Sequence, residues 1–210
     1  MSETRPPLAF FDIDTQVDFM RPTGRLYVAG AEQIVPNLNR LIRWAGANDV
    51  PVISSADAHL PDDPEFKIWP PHCVAGTPGQ RRIPETLFPS PVVIPCRPGA
   101  FQPPVRWTGQ FIVEKPTYSS QENPNYEAIL QAMGLRHAVV FGVATEFCVL
   151  ADTLALCRRG LKVDVVMDAI KAITEAGGCG ALEEMLAAGA RMVTIAEVCN
   201  TATTGAAPIR

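Results

Sequence analysis

Three segments carry side chains able to make or break bonds, and each lies at the end of a run of branched or aromatic residues. In Gly142-Val143-Ala144-Thr145-Glu146-Phe147-Cys148-Val149, an apolar run gives way to a helical pattern that places Cys148 in a first turn. Backbone N–H groups and the positive end of a helix favour a thiolate, and a cysteine so placed can have its pKa lowered from ~8.5 to between ~3.5 and ~7.5. A free cysteine is also, in its ordinary role, a small buried hydrophobe. This segment alone leaves both readings open. Leu8-Ala9-Phe10-Phe11 leads into Asp12-Ile13-Asp14, and Phe111-Ile112-Val113-Glu114 leads into Lys115-Pro116. Ligands collect outside the carboxyl ends of strands in an open parallel sheet. Asp14, Lys115 and Cys148 are therefore expected to meet there as proton carrier, charge partner and nucleophile.

A second group could hold a metal. Asp57-Ala58-His59 follows a strand candidate, His72 lies thirteen residues after His59, and Glu65 stands between them. This oxygen and nitrogen set suits Zn²⁺, Mn²⁺ or Fe²⁺. The alternative is a pair of histidines that are merely hydrogen-bonded. His137 precedes a strand and is expected at the surface, and Asp62 and Asp63 read as turn residues.

The elements that must position these groups alternate between strand and helix patterns, as in a parallel sheet covered on both faces. Strands are expected over Leu8 to Ile13, Val52 to Ser55, Phe111 to Glu114, Ala138 to Gly142, Val163 to Met167 and Met192 to Ile195, a sheet of about six. Ile34, Val35, Leu38, Leu41, Ile42 and Ala45 repeat at helical spacing. Asn123-Pro124 reads as an N-cap and first-position proline, with Tyr126, Ile129, Leu130 and Met133 as the buried stripe and Gly134 as the stop. A helix from about Thr145 to Arg158 and one capped by Thr174 and running to Gly189 complete the set. Residues 57–109 hold 12 of the 20 prolines and two of the three histidines. Trp69-Pro70-Pro71-His72-Cys73-Val74 is too apolar for disorder, so this excursion is expected to form a wall over the strand ends. One domain over 1–200 is expected, with 201–210 as a small, polar tail.

A net charge of −4 and a pI near 5.4 offer no basic stripe for nucleic acid. No apolar run approaches the length of a membrane span and no secretory segment stands out, which points to the cytoplasm. Six cysteines at irregular spacing, Cys73, Cys96, Cys148, Cys157, Cys179 and Cys199, suggest reduced thiols rather than a disulfide framework.

Taken together, Asp14-Thr15-Gln16-Val17-Asp18-Phe19, Lys115 and Gly142-Val143-Ala144-Thr145-Glu146-Phe147-Cys148-Val149 resemble the D-x-Q-x-D-F, lysine and G-V-A-T-x-x-C-V motifs of the isochorismatase-like cysteine hydrolases. Asp57-Ala58-His59 and Trp69-Pro70-Pro71-His72-Cys73-Val74 are most similar to the metal-carrying nicotinamidase branch. The resemblance implies a three-layer α/β/α sandwich with a mainly parallel sheet. It implies Cys148 as nucleophile, Asp14 as general acid/base and Lys115 as their cation. It implies an oxyanion hole from the N–H groups of Ala144 and Cys148, and a cis peptide between Val143 and Ala144. A divalent metal, zinc first and manganese or iron next, would sit on Asp57, His59, Glu65 and His72, with Phe19 and Trp69 against the substrate ring. Nicotinamide or a similar small amide would be the substrate, and the chain would be a homo-oligomer. Where relatives often have Ala-Phe after the lysine segment, this chain has Ser120-Gln121, which bears on the substrate. Other readings are a sister hydrolase of another amide, carbamoyl compound or vinyl ether, a metal-hydroxide hydrolase, and a non-catalytic metal-stabilised binding protein.

Overall fold

Phe10 and Phe11 are neighbours in one strand and bury in opposite layers, because side chains alternate across a sheet. The same alternation splits the apolar residues of the molecule into two cores. The computed structural model describes residues 8–104 and 106–200. In chain order its regular elements are β1 (Leu8–Ile13), α1 (Val17–Met20), α2 (Val35–Ala47), β2 (Val52–Asp57), β3 (Val92–Ile94), β4 (Gln110–Lys115), α3 (Tyr126–Met133), β5 (His137–Val143), α4 (Leu150–Arg158), β6 (Lys162–Lys171), α5 (Glu175–Ala187), β7 (Arg191–Val193) and α6 (Ile195–Asn200). Every strand pairing is parallel, in the order β3-β4-β2-β1-β5-β6-β7. The α2 stripe Leu38, Leu41, Ile42 and Ala45 covers one face beside Phe10, Val52 and Phe141. The other face buries Tyr126, Ile129, Leu156 and Met185 of α3, α4 and α5 against Phe11, Phe111 and Val140.

The sheet has seven strands where about six were expected. The additional one, β3, is a three-residue edge strand between Pro91 and Pro95 whose Val92 and Val93 are half exposed, so neither length nor burial marks it in the sequence. β6 runs on to Lys171 past a shift in its register with β5. β7 stops at Val193, because Thr194 and Glu197 form a reciprocal cap that starts α6. At α3 the regular helix begins at Tyr126, later than expected, while Asn123 Oδ1 accepts from Asn125 N at 2.9 Å and caps the turn that leads into it. Asn123 Nδ2 donates to Ile94 O at 3.1 Å and Glu114 O at 2.7 Å, stitching β3 and β4 to the turn. Gly134 and Thr174 act as expected, one left-handed after α3 and the other accepting from Gly177 N at 3.0 Å before α5. His137 is not a free surface residue; it opens β5 and lies 2.8 Å from Asp164 Oδ2. The expected tail, 201–210, lies outside the described residues. No described helix is long and apolar enough to cross a membrane.

Candidate active site

Strands β4, β2, β1 and β5 are consecutive neighbours, and their carboxyl ends deliver Lys115, Asp57, Asp14 and the turn after Val143 to one place. Register fixes the details, pairing Asp57 with Lys115 and Ile13 with Gly142. Gly142 has φ +122°, and a Cβ there would come within 2.0 Å of Ile13 O, so only glycine lets β1 and β5 lie this close. Asp14 itself takes a left-handed φ of 46°, a conformation that aspartate tolerates better than most residues.

Lys115 is fully buried among acceptors. Its Nζ lies 2.9 Å from Asp14 Oδ2 and 3.6 Å from Cys148 Sγ, contacts Asp57 Oδ1, and donates to Thr117 O at 2.8 Å. Burial pulls the lysine pKa down, but Asp14, Asp57 and Cys148 more than offset it, so the ammonium is held well above its usual range. Ser55 Oγ donates to Asp14 Oδ1 at 2.7 Å. Carboxylate oxygens of Asp14 and Asp57 and the Cys148 sulfur all lie within 4.8 Å of one another.

Of the two readings left open for Cys148, the thiol does not have the lowered pKa that a helix first turn can give. Burial pushes it well above its usual value, Lys115 pulls it back, and Asp14 and Asp57 push it up further. The local turn also differs, for Thr145–Val149 is a π-helical turn preceding α4. Cys148 at rest is therefore a protonated thiol. Asp14 is beside it, its own pKa raised by burial and by Asp57 against the pull of Lys115. The Val143-Ala144 peptide is cis, and Ala144 and Cys148 both face the cavity.

Asp57, His59 and His72 offer ligand atoms that lie within 4.8 Å of one another. His72 Nδ1 lies 2.8 Å from the Pro70 carbonyl, which can only accept, so Nδ1 carries the hydrogen and Nε2 is left toward Asp57 Oδ2 at 3.7 Å. His59 Nε2 is buried without a hydrogen-bond partner, 3.6 Å from the same oxygen. Burial pulls the His59 pKa down while Asp57 and Asp63 raise it, leaving it at about 9. An orphaned imidazole nitrogen facing a second imidazole and a carboxylate is a donor set that fits a divalent metal. Glu65 falls outside this trio, but its carboxylate lies within 4.8 Å of His59 and Asp63 and the residue lines the same cavity.

Alternate residues of Asp14-Thr15-Gln16-Val17-Asp18 tie the two groups together. Gln16 Nε2 donates to Asp57 O at 2.9 Å and to Gln80 O at 2.7 Å, and its Oε1 accepts from Asp57 N at 2.8 Å. Asp18 Oδ2 accepts from Cys73 N at 2.8 Å, fixing the residue after His72. The motif thus supplies one carboxylate to the site and pins two stretches of the metal wall.

Phe19 and Trp69 both line the cavity, Phe19 tilted against His72 and Trp69 edge-on to Phe147. Sequence reasoning missed Tyr118, Phe147, Leu26, Val28 and Ile173 in the same lining. Tyr118 and Phe147 had a signal, being three residues after Lys115 and one before Cys148; the other three had none. Trp69 Nε1 donates to Tyr118 OH at 3.0 Å, so the aromatic wall is linked across the opening. Asp152 was missed too. One helical turn after Cys148, it is fully buried and accepts from Ser119 Oγ, Ser120 N and Ser120 Oγ at 3.1, 2.7 and 2.6 Å.

The family model of the isochorismatase domain matches residues 9–197. The chain belongs to the isochorismatase family. Within it, the curated relatives place it in the nicotinamidase branch. The nicotinamidase of Acinetobacter baylyi is 32% identical over 206 residues, spanning 89% of this chain and 92% of that protein. The nicotinamidase/pyrazinamidase of Mycobacterium tuberculosis is 29% identical, spanning 88% and 97%. Among solved structures, the pyrazinamidase of Pyrococcus horikoshii in complex with zinc superposes with a TM-score of 0.76 at 29% identity, covering 90% of this chain and 99% of that one. This isochorismatase-family chain is a nicotinamidase-like enzyme whose Asp57, His59 and His72 suit a divalent metal.

Proposed function

We propose that this protein hydrolyses nicotinamide, or a closely similar small aromatic amide, to the acid and ammonia through a thioester on Cys148. The observation that carries the reading is one cavity lined together by Cys148 and Ala144, by Asp57, Glu65 and His72, and by the aromatic rings of Phe19, Trp69 and Phe147. That lining suits a flat, neutral ring bearing one polar group directed at the sulfur.

Asp14 takes the Cys148 proton as Sγ attacks the amide carbon. The oxyanion that forms is received by the N–H groups of Ala144 and Cys148, donors of a kind worth ~10² to 10³ in rate each. Asp14 then gives the proton to the departing nitrogen, and ammonia leaves a thioester. The Asp14 carboxylate next deprotonates water, whose oxygen attacks that carbonyl; the C–S bond breaks and the proton returns to sulfur. Lys115 stays cationic throughout, balancing whichever of its anionic neighbours carries charge. A divalent ion on Asp57, His59 and His72, with Glu65 beside them and zinc as the first choice, supplies an anchor for the ring nitrogen of the substrate.

Ammonia release from nicotinamide by the purified chain tests the reading. Turnover that is abolished by iodoacetamide and diminished by a chelator is the expected result. Turnover that survives alkylation of Cys148 would point to metal-bound hydroxide instead. Inertness toward nicotinamide with turnover of a carbamoyl compound or vinyl ether would move the chain to a sister specificity, and inertness toward all three would favour a binding protein.

A further inference from the structure

Asp63 lies in a turn-like Asp62-Asp63-Pro64 run, yet its carboxylate is occupied on both oxygens by the metal wall. Oδ2 lies 3.0 Å from His59 Nδ1, and Oδ1 accepts from Glu65 N at 2.9 Å, capping the short 3-10 turn Pro64–Lys67. We infer that Asp63 is a positioning residue for the metal, selecting the His59 tautomer that leaves Nε2 free and setting Glu65 beside it through the main chain.

The chemistry is one of donors and acceptors. An ionised carboxylate has only acceptors, so the hydrogen in the His59 contact is on Nδ1. The neutral ring that a metal would require has one N–H, so Nε2 would then present its lone pair toward Asp57 and His72. Carboxylate-to-histidine contacts of this kind also hold the ring plane and raise the basicity of the ligating nitrogen. His72 has the same arrangement through the Pro70 carbonyl. The difference matters experimentally: the support of His72 is main chain and that of His59 is a side chain, so only the latter can be removed by substitution. Asp63 itself is not assigned as a ligand, because the oxygen nearest His59 faces the nitrogen that carries hydrogen.

The inference rests on the metal reading above and not on the identity of the substrate. Zinc affinity of the full chain is measured by competition with a chromogenic chelator for the wild type, Asp63→Ser and Asp63→Asn. Serine keeps an N-cap acceptor for Glu65 N but is too short to reach His59. Asp63→Ser is therefore expected to bind zinc about tenfold to a hundredfold more weakly, with its circular dichroism unchanged. Asp63→Asn is expected to weaken binding as well, since its one oxygen cannot serve both His59 Nδ1–H and Glu65 N–H. At saturating cobalt(II), Asp63→Ser should give the visible spectrum of the wild type, because the ligands are the same. Equal zinc affinity in Asp63→Ser and the wild type overturns the inference alone, and so does a changed cobalt spectrum, which would make Asp63 a ligand. A wild type that binds no zinc overturns the metal reading together with it.

Discussion

The two walls of the cavity are built in different ways. Asp14, Lys115 and the Cys148 turn are carried on adjacent strand ends of one parallel sheet, where ladder register sets their separation. His59, Glu65, Trp69 and His72 lie in an excursion with no sheet strand between β2 and β3 among the described residues; it is held by an isolated bridge between His59 and Val74 and by side-chain bonds such as Gln16 to Gln80, Asp18 to Cys73 and Asp63 to His59. A laddered strand end shares its constraint among many bonds. A loop wall depends on each one. The contrast teaches that the charge trio is a rigid device, costly to unbalance, whereas the metal wall can be loosened one bond at a time.

Removing the proposed nucleophile separates chemistry from stability most sharply. Cys148→Ala should lower turnover by at least ~10⁴-fold while the melting temperature changes little, because a small apolar residue still fills the site. Lys115→Ala should also abolish turnover, and it should cost about 3–5 kcal/mol in denaturant unfolding, since it leaves Asp14 and Asp57 buried without their cation. If Lys115→Ala unfolded no more easily than Cys148→Ala, the picture of a charge-balanced core would be wrong.

On the other wall, Asp18→Ala deprives Cys73 N and Arg25 N of their acceptor. An unpaired buried donor costs about 1–3 kcal/mol. The expected outcome is weaker zinc binding with the rate of Cys148 alkylation by iodoacetamide unaltered within about twofold to threefold, as the bonds concerned lie on the loop side. Equal losses in both measurements would erase the distinction between the walls.

What the sequence revealed follows the same division. Asp14, Lys115 and Cys148 could be gathered from linear order alone, because strand-end geometry is common to parallel sheets and each residue terminates an apolar run. The metal set drew on the resemblance, since D-x-H and a distant histidine have no periodicity to place them. β3 escaped because an edge strand of three residues between prolines buries only Ile94. The Thr194 and Glu197 cap was legible as a capping box but was absorbed into an apolar run read as strand. The direction of the thiol pKa stayed open for a deeper reason. A helix end can be recognised locally, but the burial and the two neighbouring carboxylates that raise the pKa of Cys148 come from segments remote in sequence. Asp152 hid likewise, its Ser119 and Ser120 partners being more than thirty residues away.

The effect that reaches beyond both walls belongs to Asp152. It ties the Ser119-Ser120 turn, next to the Tyr118 that meets Trp69, to the helix following Cys148. Burial raises its pKa from 3.8 to about 6, opposed by the hydrogen bonds from Ser120 and by Lys115. The native state therefore binds this proton more tightly than the unfolded chain. Its contribution to stability is complete below the unfolded value and is lost as pH rises through about 6. A shift of roughly two units corresponds to something on the order of 3 kcal/mol. Asp152→Asn keeps the shape, offers an oxygen to Ser119 Oγ and Ser120 N, and can donate to Ser120 Oγ, without the ionisation. The melting temperature of Asp152→Asn relative to the wild type should thus climb between pH 4 and pH 8, by several degrees for a chain of this size. A difference that stayed flat across that interval would mean that Asp152 is solvated enough to ionise freely, and that the turn beside Tyr118 is less firmly closed than its three hydrogen bonds imply.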